Sequence, residues 1–211
     1  MDVTEFKLLV PKIEKNHLGG IEIHKQMASL IHNYSFPNKI DTYRKASVMA
    51  LLYVKLDKVF MVMIERTIYD GKHSGQIAFA GGKKEPEDES NWACAQREVF
   101  EEIGVNPNQY QFVKALSPVC VAVSNFIVYP FVAFTEKPLT FTKQEKEVEN
   151  ILEIELASLL EPKIVEETSI KMSENESFNV PCFNVENTVI WGATAMIVNE
   201  LIHLINHSME Q

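Results

Sequence analysis

Cysteine is scarce in this chain. Three of 211 residues, Cys94, Cys120 and Cys182, are odd in number and form no C-x-x-C pair. That excludes a disulfide-stapled scaffold or a cysteine-built zinc site, and predicts reduced thiols in a cytoplasmic protein. Glycine and proline are few as well, 8 and 9, against 46% apolar and 23% charged residues, which excludes collagen-like, low-complexity and disordered classes. Positive charge is the third shortage: 20 Lys and Arg face 29 Asp and Glu, for a formal net charge of -9. Nucleic acid and anionic membrane surfaces are therefore not expected as partners. The N-terminus, with Asp2, Glu5 and Lys7, has no apolar run of signal-peptide length. Residues 115–135 carry no charge, but Pro118, Pro130 and Ser124-Asn125 divide them into two buried strands around a turn, so no membrane span is expected.

What is present is a globular chain without repeats or a Ser/Gly/Pro linker. Residues 1–40 read as an N-terminal helical extension with a Phe6, Leu9, Ile13 stripe, broken at Pro11 and ended by Gly19-Gly20; residues 41–211 read as one domain. Ser47–Val54 and Val59–Glu65 predict a β-hairpin. A helix is expected from Asn91 to Ile103, stopped by Gly104. Strands are expected at 111–119, 126–134 and 150–156, a hairpin at 165–183 around Ser173–Ser177, and a closing helix from Trp191 to Ile205. Strands and helices mix without βαβ alternation, which favours an α+β fold with a layered mixed sheet over a Rossmann fold. The apolar terminal helices also suggest a homodimer.

The most informative segment is Gly81–Val105. On a helix, Glu98, Glu101 and Glu102 share one flank, while Trp92, Ala95, Val99 and Ile103 form an apolar stripe beside it. Carboxylates one turn apart repel unless a cation neutralises them. Oxygen donors without thiolate or imidazole suit a hard divalent ion, Mg²⁺ or Mn²⁺. Arg97 is placed to hold a carboxylate, and Gly81-Gly82 offers bare backbone to a metal or phosphate.

Residues Arg97 to Val105, REVFEEIGV, resemble the second half of the Nudix box. The first half carries one extra residue. Counted from Gly82, the acidic position is Asp88; counted back from Arg97, it is Glu89, with Lys83 in place of the glycine. The resemblance extends to the coenzyme A pyrophosphatase subfamily: Met63–Thr67 and Gly75–Gly82 follow its upstream signature, with Gly71 (beside Lys72) where that signature has Arg and Ala80 where it has Pro. Ser124-Asn125-Phe126, Pro130-Phe131, Glu147-Val148, Leu156 and Ile190–Ala195 are also similar to this group, so the likeness covers most of residues 24–205.

The resemblance implies an α/β/α sandwich and metal-dependent hydrolysis of a small nucleotide diphosphate. Coenzyme A or its thioesters would yield 3′,5′-ADP and 4′-phosphopantetheine; the alternative is another nucleoside diphosphate derivative such as ADP-ribose or a dinucleotide. Mg²⁺ or Mn²⁺ would be held by Glu98, Glu101 and Glu102 with the Gly82 carbonyl, and Arg97 would orient Glu98. Arg66, His73, Gln76, Phe79 and Gly81 are the expected substrate contacts. The general base is open between Glu98 and the acidic segment of Glu145, Glu147 and Glu149. His203 and His207 have zinc-capable spacing but no third ligand, and Trp191 is expected in the core rather than stacked on a base.

Overall fold

The hairpin forms as its two apolar runs require. In the computed structural model, which describes residues 1–28, 34–67, 75–161, 164–171, 177–186 and 188–211, Arg44–Lys55 (β1) pairs antiparallel with Lys58–Arg66 (β2) from Leu51↔Val62 to Lys55↔Lys58. Leu56 and Asp57 turn it at φ 51° and 59°, the double positive φ whose twist matches the flanking strands.

Strand β1 is the spine of the sheet. It runs antiparallel to Ala80–Lys83 (β4) through Ala46↔Lys83 to Met49↔Ala80, and parallel to Phe126–Thr135 (β7) from Arg44↔Phe126 to Tyr53↔Thr135. Its side chains alternate between two cores: Met49, Leu51 and Tyr53 face one, Ala50, Leu52 and Val54 the other. Burial on both faces is why this segment reads as an unbroken apolar run. Ile77–Ala78 (β3) and Val148–Glu155 (β8) add to β2, and Gln111–Ala115 (β5) and Val119–Val121 (β6) add to β7, all antiparallel.

Helices cover both faces. Val3–Lys15 (α1) and Gly192–Met209 (α5) close one core, with Phe6, Ile13, Val198 and Ile205 fully or almost fully buried. Burying each such side chain stabilises by about 1.5–3 kcal/mol. Gly20–Gln26 (α2) packs against α5. Asn91–Ile103 (α3) covers the other face with Ala95, Val99 and Ile103. This is an α/β/α sandwich with a mixed sheet. A short helix, Leu156–Leu159 (α4), leads to a separate antiparallel sheet of Val165–Lys171 (β9), Ser177–Val185 (β10) and Thr188–Trp191 (β11).

Several boundaries differ from the sequence expectation. Helix α1 continues through Pro11 to Lys15, because Phe6, Leu9 and Ile13 are anchored on both sides of the missing N–H and Asp2 with Glu5 forms a capping box. The predicted strand 111–119 is split at Leu116–Pro118, where proline has no N–H for the ladder. Trp191 ends β11 and caps α5 instead of opening the helix. The turn of the 165–183 hairpin lies outside the described residues. Residues 115–135 form strands and a 3₁₀ turn, and among the described residues no helix is long and apolar enough to cross a membrane. The apolar faces of α1 and α5 are taken up by the core, leaving Leu8 and Met209 as their exposed large apolar side chains; the surface that suggested a homodimer is largely consumed.

Candidate functional site

Helix α3 is built to present one flank to strand β4. Ser90 caps it, its Oγ accepting the Ala93 N–H at 2.9 Å, and Gly104 ends it at φ 73°. With Ala95, Val99 and Ile103 packed into the core, Glu98 and Glu102 are turned toward the Gly81-Gly82 pair. A Cβ on Gly82 would stand 2.5 Å from Glu98 Oε1, and one on Gly81 2.3 Å from the Ser47 carbonyl. Only glycine lets β4 lie this close to both the helix carboxylates and β1.

Arg97 ties the carboxylates into one network. Its Nε and Nη2 each donate to Asp88 at 3.0 Å, Nη1 reaches Glu101 at 2.7 Å and Glu98 at 2.9 Å, and Nη2 also donates to the Lys83 carbonyl at 3.1 Å. The bidentate guanidinium contact holds the Asp88 carboxyl down at about 2. Asp88 also closes a turn by accepting the Glu85 N–H at 2.8 Å, while Glu89 is exposed. Between the two candidates for the acidic position, Asp88 is the one that meets Arg97. The turn signal was present in the sequence as Glu85-Pro86-Glu87-Asp88.

Glu102 is the most constrained group. It is 2% exposed, its Oε2 accepts the Gly81 N–H at 2.8 Å, and Arg66 Nη1 is 3.9 Å from its Oε1. Burial pushes its carboxyl up to about 8, against the opposing pull of Gly81 and Arg66, and Glu98 and Glu147 raise it further. Burial raises Glu98 as well. Arg66 Nε is buried and has no hydrogen-bond partner among the described residues.

Arg66, Arg97, Glu98 and Glu102 line a cavity of about 600 Å³ with Gly81, Gly82, Lys83, Glu101, Gln144 and Glu147. Of the expected contacts, Arg66, Arg97, Gly81, Gly82, Glu98, Glu101 and Glu102 come together here. Gln76 lies at its margin, its carbonyl accepting the Arg66 N–H at 3.1 Å, and is not part of the lining. Phe79 is corrected: at 2% exposure it is a core side chain on the face away from α3, too enclosed to meet substrate. His73, Gly71 and Lys72 lie outside the described residues. Of the three downstream acids, Glu147 alone lines the cavity; Glu145 pairs with Lys143 at 3.2 Å. Gln144 was not foreseen, since nothing in its local sequence marks a turn that docks on a helix end. His203 and His207 are exposed on α5, and Trp191 is partly buried.

The donor set fits a hard divalent cation. It offers several carboxylate oxygens, two of them on groups whose burial opposes their charge until a cation neutralises them. Among the described residues no three His, Cys, Asp or Glu side chains already stand in a metal-coordinating arrangement; the carboxylates are turned to Arg97, Arg66 and the Gly81 N–H instead.

The NUDIX domain sequence profile matches residues 43–174, which contain all of these groups. The chain belongs to the Nudix family. An uncharacterized Nudix hydrolase of Escherichia coli, NudL, is 31% identical over 199 residues, covering 94% of this chain and 90% of the relative. A probable nudix hydrolase of Schizosaccharomyces pombe is 29% identical over 163 residues, 77% of this chain but 56% of the relative. Among solved structures, a MutT/nudix family protein from Enterococcus faecalis aligns over 90% of this chain and 73% of its own with TM-score 0.51 and 12% identity. The MutT protein from Methanosarcina mazei aligns over 78% and 95% with TM-score 0.51 and 15% identity. At those identities the structures show the shared Nudix fold alone. As a Nudix hydrolase the protein acts on pyrophosphate bonds of nucleoside diphosphate derivatives, and enzymes of this family generally use divalent metal ions.

Proposed function

We propose that the protein is a pyrophosphohydrolase of coenzyme A or its thioesters that works with Mg²⁺ or Mn²⁺ held by Glu98, Glu101 and Glu102 beside the Gly82 carbonyl. The observation that carries the chemistry is the buried Glu102, a carboxylate kept at the floor of an acidic cavity with too little compensation for its own charge. A bound divalent ion supplies electrophilic screening of the diphosphate and acidifies a water. Arg97, fixed by Asp88, orients Glu98 and Glu101 by pairing with both. Arg66, whose Nε has no partner among the described residues, and the Gly81 backbone offer donors to phosphate oxygens. Glu147 is the base that takes the proton of the attacking water, because it is the downstream acid that reaches the cavity and has no lysine partner among the described residues. His73 and Gln76 are assigned to substrate contact on the subfamily resemblance.

The coenzyme A assignment rests on the signature around residues 63–82 and on the later segments through 195. Gly71 and Ala80 depart from that signature, which tells against coenzyme A; the competing substrate is another nucleoside diphosphate derivative such as ADP-ribose or a dinucleotide. Purified protein with Mg²⁺ or Mn²⁺ and a panel of these compounds separates them. Release of 3′,5′-ADP from coenzyme A is the expected result. AMP from ADP-ribose without attack on coenzyme A would move the assignment to the competitor, and no hydrolysis of any diphosphate would overturn the enzyme assignment.

A further inference from the structure

The loop that brings Glu147 to the cavity faces an electrostatic problem. The Glu147 carboxylate lines the cavity together with Glu98, Glu101 and Glu102, so like charge opposes its placement there and that placement depends on how its backbone is held. Glu145, Lys146 and Glu147 are all exposed, and the buried Val148 anchors the chain only from the residue after Glu147 onward.

One side chain ties the exposed turn together from within. We propose that Gln144 is a positioning residue that sets the Glu147 carboxylate against the carboxylates of α3, an inference that rests on the role given above to Glu147. The Gln144 N–H donates to the Glu102 carbonyl at 2.9 Å, and Thr142 N–H donates to Ile103 at 2.9 Å, so the loop satisfies carbonyls that the end of α3 leaves free. The Gln144 carbonyl then accepts from Glu147 N–H at 3.1 Å and Val148 N–H at 2.9 Å. Its side-chain Oε1 accepts from Lys146 N–H and from Glu147 N–H, the latter at 3.2 Å. Both partners donate, so the atom is the amide oxygen, and an apolar residue cannot replace it. From the other side Thr67 N–H donates to the Glu147 carbonyl at 3.1 Å and Thr67 Oγ1 to the Lys146 carbonyl at 3.0 Å. Glu147 is thus suspended between the residue that bears the buried carboxylate, Glu102, and the residue that follows Arg66. The main-chain bonds are open to any amino acid at 144; the Oε1 bonds are not.

The test compares Gln144→Met, which keeps the length and loses the acceptor, with Gln144→Glu, which keeps the acceptor. Gln144→Met is expected to lower kcat by about 10²-fold, the scale of an ångström-sized misplacement, with KM little changed and the melting temperature close to that of the parent. Gln144→Glu is expected to restore most of kcat. In a Glu147→Gln background, Gln144→Met should have no further effect, because it acts through a carboxylate already removed. Equal losses in both backgrounds, or parental kcat in Gln144→Met, would overturn the inference while leaving the pyrophosphohydrolase assignment intact. Amide exchange of the full-length protein decides the point without turnover: faster exchange at Lys146 and Glu147 in Gln144→Met supports the bracket, and unchanged exchange there sinks it even if the parent hydrolyses nothing.

Discussion

Glu102 and Glu200 are both buried glutamates on helices that cover the central sheet, one on each face, at 2% and 0% exposure. Their surroundings differ. Glu200 on α5 receives the Gly20 N–H at 2.7 Å and the Ser117 N–H at 2.9 Å, and lies 3.4 Å from His24 Nε2. Burial opposes its charge, but the contacts with His24 and Ser117 outweigh burial and its pKa falls below the usual carboxylate value. Glu102 has one N–H and a distant guanidinium, and burial wins. The contrast separates a carboxylate that serves as structure from the one proposed to meet a cation: Glu200 stitches α2 and the segment before β6 onto α5, whereas Glu102 lines the cavity with fewer donors around its charge.

The sharpest way to break this comparison is Glu102→Gln. Turnover is expected to fall on the order of 10³-fold, the cost of removing one well-placed charge-stabilising group, while the metal-free protein becomes more stable at pH 8. The sign follows from the raised carboxyl. Between its ordinary value and about 8 the folded state holds a proton that the unfolded state has lost, so parental stability declines as pH rises through that window. Melting curves of parent and variant should therefore diverge with rising pH, and addition of Mg²⁺ should narrow the gap by stabilising the parent. A parent whose melting temperature does not fall across that window would contradict the raised carboxyl of Glu102.

Glu200→Ala should behave in the opposite way. It is expected to lose about 3 kcal/mol of unfolding free energy by denaturant titration, since it orphans two backbone donors and a buried histidine, with kcat and KM of the folded fraction unchanged. Because the Glu200 carboxyl is lowered, its contribution is present above the ordinary carboxylate value and is lost as pH falls through the folded one. The difference in stability from the parent should accordingly shrink in acid. A smaller effect is expected for Asp88→Asn, which keeps the shape but not the charge that fixes Arg97: kcat should fall by about 10- to 100-fold, the usual cost of losing a partner that orients metal-binding side chains. Glu145→Gln should sit at the bottom of the series, with steady-state kinetics indistinguishable from the parent, since Glu145 pairs with Lys143 outside the cavity.

The legible parts of the molecule are those whose signal is local. The β1–β2 hairpin, the span of α3 with Gly104 at its end, and the alignment of Glu98, Glu101 and Glu102 follow from periods and stop signals within a few residues. Errors fell where distant packing overruled a local rule. Pro11 did not end α1 because both flanks are buried, and Phe79, adjacent to the glycine pair that lines the cavity, faces the opposite core. The choice of Asp88 over Glu89 and of Glu147 over Glu145 and Glu149 could not be made from spacing, because each depends on which way a turn is held against another element.

By itself the sequence determined the chemistry available: a carboxylate-rich helix flank, one arginine to bind it together, and two glycines to let a strand approach. Only the tertiary structure decided which carboxylates feel that chemistry. Burial and the count of hydrogen-bond donors around a charge are properties of elements far apart in the chain, such as Gly81 beside Glu102 or Gly20 and Ser117 beside Glu200. Those donors, more than residue type, make one buried glutamate a fastener and leave the other with its charge opposed by burial, the state on which the proposed cation site rests.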